Sequence, residues 1–309
     1  MFKKAIIAVA MAAVTGSAMA DVTVGGKVEQ QQRKNEAGEW SGWSDVRLTV
    51  SGSEDLGNGM SGFFKFQEEI GLRSGAGAQQ YDQLVGLKSG AGTLIMGKVE
   101  DFTESKVMSM TDKTMGANGV EIGANLGRNE GAIAYVSPSF SGLTVGVAGY
   151  ALSASGGDQD AFDAVDLGLM YSNGPLSVNV AFENDKRAAT AATAATAAFD
   201  SGDSKSIGAS YAMGDMTVAA TFQTTEFDTA GKADEDDTSI ALTYAMGNNK
   251  LVLGWNDNET SAAAVVTDTN SNVIELQHSF SKHTAAYVNF YNSDVADADT
   301  TSFGLQHTF

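Results

Sequence analysis

The constraint that most narrows the fold is a repeated alternation of apolar and polar residues. Leu176, Val178, Val180 and Phe182 alternate with Ser177, Asn179, Ala181 and Glu183, and Met216, Val218, Ala220 and Phe222 alternate with Thr217, Ala219, Thr221 and Gln223. Ile240, Leu242, Tyr244 and Met246 repeat the pattern, and the chain closes on Phe303, Leu305, His307 and Phe309 set against Ser302, Gly304, Gln306 and Thr308. A period of two is the strand period, because successive side chains point to opposite faces of a sheet. From Val22 onward about 16 such segments of roughly 8 to 11 residues can be marked, the length at which a tilted strand spans a bilayer.

The connections between these segments alternate in length. Short ones fall at 89–91, 137–142, 172–174, 214–215, 247–248 and 281–283. Polar, longer ones lie near 33–42, 100–129, 152–162, 185–203, 228–236, 258–271 and 293–300. An up-and-down antiparallel sheet puts every second connection at the same end, so one end is trimmed and the other elaborated, as in transmembrane barrels. Alternation alone does not separate a soluble sandwich from a barrel with lipid outside and water inside. The strand count does, since a sheet this wide without helical cover leaves sticky edges unless it closes on itself. Closure is obligatory in lipid, and a ring of about 16 strands encloses water. The expected fold is therefore all-β, a transmembrane antiparallel up-and-down barrel of about 16 strands in a single domain over 21–309. The only prolines, Pro138 and Pro175, sit in or beside short turns, where no ladder hydrogen bond is lost.

Residues 1–20 read as a cleaved signal peptide: Lys3 and Lys4, an apolar run from Ala5 to Val14, then the small-x-small site Ala18-Met19-Ala20. Export and the absence of cysteine exclude a disulfide scaffold, thiolate metal sites and a cysteine nucleophile. The formal charge of −19 becomes −21 once the two leader lysines are removed. Nucleic acid is excluded as a partner on that balance, because phosphate backbones require clustered Lys and Arg.

The interval 100–129 has neither alternation nor a helical stripe, and a connection that long in a compact domain needs a role. The expectation is that it folds into the lumen and narrows it, with Glu104, Asp112 and Glu121 facing basic side chains on the wall. Tyr150, Tyr171, Tyr211, Tyr244, Trp255, Phe290, Tyr291 and Phe309 lie near strand ends and are candidates for interfacial girdles, with ordinary sheet packing as the other reading. Neither metal-ligand spacing among His278, His283 and His307 nor a nucleophile, phosphate or zinc motif occurs. No enzyme and no cofactor are expected. The acidic clusters Asp234-Glu235-Asp236-Asp237 and Asp294, Asp297, Asp299 could hold divalent cations that bridge to lipopolysaccharide, or be solvated loop.

Four stretches and the last residue carry a resemblance to a known family. VGGKVE near the mature start, SDVRLTVSGSEDLGNGMSGFFKFQ, QLVGLKSGAGTLIMGKVEDF, GRNEGAIAYVSPSFSGLTVGVAGY and the terminal Phe309 occur in the order found in Gram-negative general diffusion porins, which the chain resembles over its mature length. The resemblance implies a homotrimer of 16-stranded barrels in the outer membrane, in contact with lipid and lipopolysaccharide, passing small hydrophilic solutes and ions by passive diffusion. It implies a constriction with a basic wall, corresponding here to Lys27, Arg47, Lys98 and Arg128, opposite an acidic third loop. Alternation independently puts Lys27 and Arg47 on polar faces, while Lys98 shares a face with Leu94 and Met96. The proline-glutamate-phenylalanine-glycine-glycine signature of some members is absent from the loop, which instead carries Met108, Met110, Met115, Lys106 and Lys113. The acidic balance implies a mild cation preference. A secreted or surface-attached acidic β-rich adhesin without a pore stays open as the alternative, although it gives no reason for connections that alternate in length.

Overall fold

The computed structural model describes residues 21–309 apart from 71–78, 117–118, 120–122, 124, 152–160, 187–201, 229–231 and 263–264. Sixteen strands follow one another: β1 (Asp21–Asn35), β2 (Trp40–Gly57), β3 (Met60–Glu69), β4 (Gln79–Ser89), β5 (Gly92–Glu100), β6 (Arg128–Val136), β7 (Leu143–Tyr150), β8 (Ala164–Asn173), β9 (Leu176–Asp185), β10 (Gly202–Met213), β11 (Met216–Phe227), β12 (Asp234–Met246), β13 (Asn249–Ala262), β14 (Val265–Ser279), β15 (Thr284–Ser293) and β16 (Thr300–Thr308). Each pairs antiparallel with its sequence neighbours, and β1 pairs with β16 from Lys27↔Thr308 to Asn35↔Thr300, closing the barrel. Phe309 adds the last rungs, exchanging backbone hydrogen bonds with Gly26 at 2.9 and 3.0 Å.

Burial is inverted relative to a soluble protein. Glu29, Asn256, Glu275 and Asn289 are 0% exposed, whereas Val85 is 58% and Ile274 and Leu305 are 53% exposed. Along most of the barrel the apolar set therefore points out and the polar set in, with inward exceptions such as Val252 and Val273, each 1% exposed, and this is stable only if hydrocarbon covers the outside. No helix among the described residues is long and apolar enough to cross a membrane, so the strands are the spanning elements. The even-to-odd connections are tight. Asn58 and Gly59 turn β2 into β3 with φ of 53° and 73°, the left-handed pair that an Asn-Gly hairpin supplies at little steric cost.

The expected long connection at 258–271 is mostly strand: β13 and β14 stay paired to Ala262↔Val265. Likewise β1 and β2 pair to Lys34↔Trp40, well inside the stretch 33–42. Both hairpins carry polar residues on both faces there, so pairing continues after alternation stops. The acidic run Asp234–Asp237 likewise belongs to β12. The leader 1–20 and the Ala-Ala-Thr repeats within 188–198 lie outside the described residues.

Among the described residues an apolar cluster forms inside the barrel, and the long connection after β5 creates it. Phe102, Val107 and Leu126 pack on Ala132, Ala134, Ala148, Tyr150, Ala164 and Ala181 of the wall. The wall is cut back to admit them: a Cβ on Gly146 would lie 2.3 Å from Phe102 Cζ, and one on Gly208 would lie 2.8 Å from Met110 Sδ. Tyr150, 1% exposed, belongs to this cluster and not to an interfacial girdle. Tyr211, Tyr244, Phe290 and Phe309, each at least 43% exposed, stay on the outer face.

Candidate functional site: a constriction crossed by the third loop

After Glu100 the chain turns inward through a π-helical turn at Thr103–Val107 and a 3-10 turn at Met108–Met110. The first leans on β8, β9 and β10, the second on β10 and β11. Thr103 Oγ1 meets Ser206 Oγ at 3.3 Å, and Thr111 Oγ1 meets Thr221 Oγ1 at the same distance. The chain then crosses to the far wall. Met115 and Gly116 donate their N–H groups to Glu275 Oε1 and Oε2 of β14 at 2.7 and 3.0 Å, and Gln277 Nε2 donates to Lys113 O at 3.1 Å. Leu126 and Gly127 bring it back to β6. The expected inward loop over 100–129 is thus present, and it spans the lumen from β8–β11 to β14.

Three of the four expected basic residues stand together on the remaining wall. Lys27 of β1, Arg47 of β2 and Arg128 of β6 are joined by Lys65 of β3, a lumen-facing lysine that was not anticipated. Lys98 is not among them. It sits at a register irregularity between Gly97 and Val99, on the outward face with Leu94 and Met96, and its Nζ pairs with the exposed Glu130 at 3.8 Å. The alternation that made it doubtful in the sequence governs its position.

The wall is not a purely basic surface. Lys27 Nζ lies 2.7 Å from Asp45 and 3.2 Å from Glu29; Arg47 holds Asp45 through Nη2 at 3.0 Å and Nε at 3.1 Å and approaches Glu69 at 3.9 Å. Lys65 pairs with Asp82 at 2.7 Å, and Arg128 binds Asp82 at 3.3 Å and Glu100. The Tyr81 ring lies between the Arg47 and Arg128 guanidiniums, 4.3 and 4.4 Å from its centroid, while its hydroxyl donates to Glu69 at 2.8 Å. Four cations are thus interleaved with five carboxylates, Glu29, Asp45, Glu69, Asp82 and Glu100. The signal for two of these was present in the sequence: residues two apart share a strand face, which sets Glu29 beside Lys27 and Asp45 beside Arg47.

The acidic loop set is dispersed. Glu104 stands at the root of the loop, 3.8 Å from Arg128. Burial, then a hydrogen bond with Glu100 and its charge, push the Glu104 carboxyl up to about 8. Arg128, already committed to Glu100 and Asp82, offsets only part of this, so the Glu104 carboxyl holds its proton more readily than a free one. Asp112 is exposed on the loop, with its N–H on Met108 O at 3.2 Å. Glu121 lies outside the described residues. Asp101 is fully buried, and burial, reinforced by the charge of Glu183, raises its carboxyl well above the usual range.

A polar lumen crossed by one infolded loop, inside a closed 16-stranded barrel with an apolar exterior, is the anatomy of a diffusion channel. The family model described as Gram-negative porin matches residues 7–298. The chain belongs to the Gram-negative porin family. Outer membrane porin protein 32 of Delftia acidovorans is 28% identical to this porin over 338 residues, covering 98% of this chain and 92% of that one. Among solved structures it is similar to an anion-selective porin from Comamonas acidovorans, with a TM-score of 0.74 at 20% identity over 94% of this chain and 100% of that one. It is similar also to OmpT of Vibrio cholerae in a trimer form, with a TM-score of 0.76 at 17% identity, covering 94% and 99%. The porin is a channel protein and not an enzyme, and its family membership sets aside the alternative of a secreted or surface-attached acidic β-rich adhesin without a pore.

Proposed function

We propose that this porin is a trimeric, water-filled channel of the outer membrane, exported through the periplasm, through which small hydrophilic solutes and ions diffuse passively with a mild preference for cations. Passage needs no reaction step: solutes cross the gap between the loop and the wall of β1–β6, and gap width and lining charge set the rate. The observation that carries the ion preference is the charge belt. Its four cations are each engaged by carboxylates, and four cations against five carboxylates leave the set one negative charge in excess before Glu104 is counted. The trimer rests on the family and on the trimer form of the Vibrio cholerae relative.

The anion-selective porin of Comamonas acidovorans shows that this fold also serves the opposite preference, so the belt and not the barrel decides the sign. The test is the reversal potential of the purified porin in a planar bilayer under a potassium chloride gradient. A potassium-to-chloride permeability ratio above one, falling toward one as salt screens the belt, is expected. A ratio below one overturns the cation preference while leaving the channel itself intact.

A further inference from the structure

Three carboxylates that take no part in lining the gap meet where the third loop is rooted. Asp101 begins the loop, Asp166 lies on β8 and Glu183 on β9; one oxygen from each lies within 4.8 Å of the others. They are 0%, 1% and 6% exposed, and among the described residues no lysine or arginine forms an ion pair with them. Backbone N–H groups from both ends of the loop bind them. Glu104 donates to Asp101 Oδ1 and Phe102 to Asp166 Oδ2, both at 2.6 Å. Leu126 donates to Glu183 Oε2 at 3.2 Å, and Gly127 donates to Asp101 Oδ2. Asp166 Oδ1 and Glu183 Oε1 remain, buried and without a hydrogen-bond partner.

Like charges this close and this dry must be neutralised, and only protons or a cation can do so. The donor set consists of oxygens alone, the preference of hard divalent ions. Calcium, bound at about 2.3–2.6 Å, accommodates oxygens up to about 5 Å apart across the ion, whereas magnesium, at about 2.0–2.1 Å, requires them within about 4.2 Å. The three oxygens lie within 4.8 Å of one another, a spacing open to either ion, but magnesium gives up its waters reluctantly, so a site closed to solvent suits calcium. The four N–H donors hold the carboxylates in place, two on Asp101 and one each on Asp166 and Glu183, which is how supporting groups orient ligands toward a metal.

We propose that Asp101, Asp166 and Glu183 bind one calcium ion, which ties both roots of the constriction loop to β8 and β9. The site differs in kind from the acidic external stretches, where Asp294 and Asp299 accept hydrogen bonds from Asn270, Asn292 and Ser293. Being closed to solvent, it takes up calcium as the barrel folds and releases it slowly.

The test folds the full mature chain from urea into detergent with calcium chloride, washes it with EDTA in the folded state, and counts calcium per chain by mass spectrometry of the metal. EDTA strips exposed carboxylates, so about one calcium per wild-type chain is expected, with at least a tenfold lower content in Asp166→Asn and Glu183→Gln. Equal retention by wild type and variants, or none by the wild type, overturns the proposal, the second result meaning that protons neutralise the cluster. The unfolding temperature of the wild type decides separately should a variant fail to fold. Folding in calcium must raise it relative to folding in EDTA, and an unchanged temperature rejects the site.

Discussion

Glu275 is the anchor on which the position of the loop tip depends. It is fully buried on β14 and accepts four hydrogen bonds: Met115 N–H at 2.7 Å and Gln277 at 2.6 Å on Oε1, Gly116 N–H at 3.0 Å and Asn289 at 2.9 Å on Oε2. Glu275→Ala removes both bonds to the loop tip. A hydrogen bond to a charged group contributes about 1.5–3 kcal/mol, so the pair is worth about 3 kcal/mol at the low end. That changes the ratio of docked to released loop roughly a hundredfold. The Gln277 bond to Lys113 O and the Phe102 cluster remain, so the barrel still folds and only the tip is loosened. Single-channel recording should show open-channel noise and brief partial closures absent from the wild type, and liposome swelling should admit larger sugars. Asn289→Ala removes a partner of the same carboxylate without touching the loop and should record quietly. A Glu275→Ala channel as quiet as the wild type would refute the idea that this contact positions the loop.

Further expectations concern the wall and the loop root. Tyr81→Ala removes the ring shared by Arg47 and Arg128, each stacking being worth about 0.5–2 kcal/mol, and should raise single-channel conductance, whereas Tyr81→Phe keeps the ring and should conduct like the wild type. As pH rises through about 8, Glu104 ionises and adds a negative charge to the belt, so the potassium-to-chloride ratio should increase between pH 7 and 9 and stay flat in Glu104→Gln. Because that carboxyl is raised in the folded state, its stabilising contribution is complete below its ordinary range and is lost as pH passes 8; Glu104→Gln should therefore resist heat better than the wild type at pH 9. Gly146→Ala forces a Cβ into the Phe102 ring and should cost about 1–3 kcal/mol of stability on heat-modification gels. Phe102→Ala in the same chain should recover part of that loss.

The barrel was legible because lipid imposes a rule on every spanning residue: Val178 and Val180 must face out, Asn179 and Glu183 in. Where the strands leave the membrane the rule lapses, and 258–271 looked like loop although backbone pairing continued to Ala262 and Val265. Lys27 and Arg47 could be placed by alternation, and the same alternation held the warning against Lys98. Glu69 follows Lys65 and Asp82 precedes Leu84 at the strand period, whereas Tyr81 was harder to place, because the register irregularity opposite Phe66 and Glu68 falls at its position on β4. The Glu275 anchor and the cluster of Asp101, Asp166 and Glu183 depend on contacts between distant segments, and no local pattern marks them. Tyr150 illustrates the same limit: a tyrosine at the end of a strand belongs to a girdle on one face and to the packing beneath the loop on the other.

The central claim is that the loop from Asp101 to Gly127 narrows an otherwise open, water-filled cylinder. Stepwise conductance of the purified porin in planar bilayers, recorded over a range of potassium chloride concentrations, tests it most directly. Discrete ohmic steps that follow the conductivity of the bulk solution, and that grow when residues 103–125 are replaced by a short glycine-serine linker, are the predicted result. Absence of steps, or steps unaltered by that replacement, would contradict it.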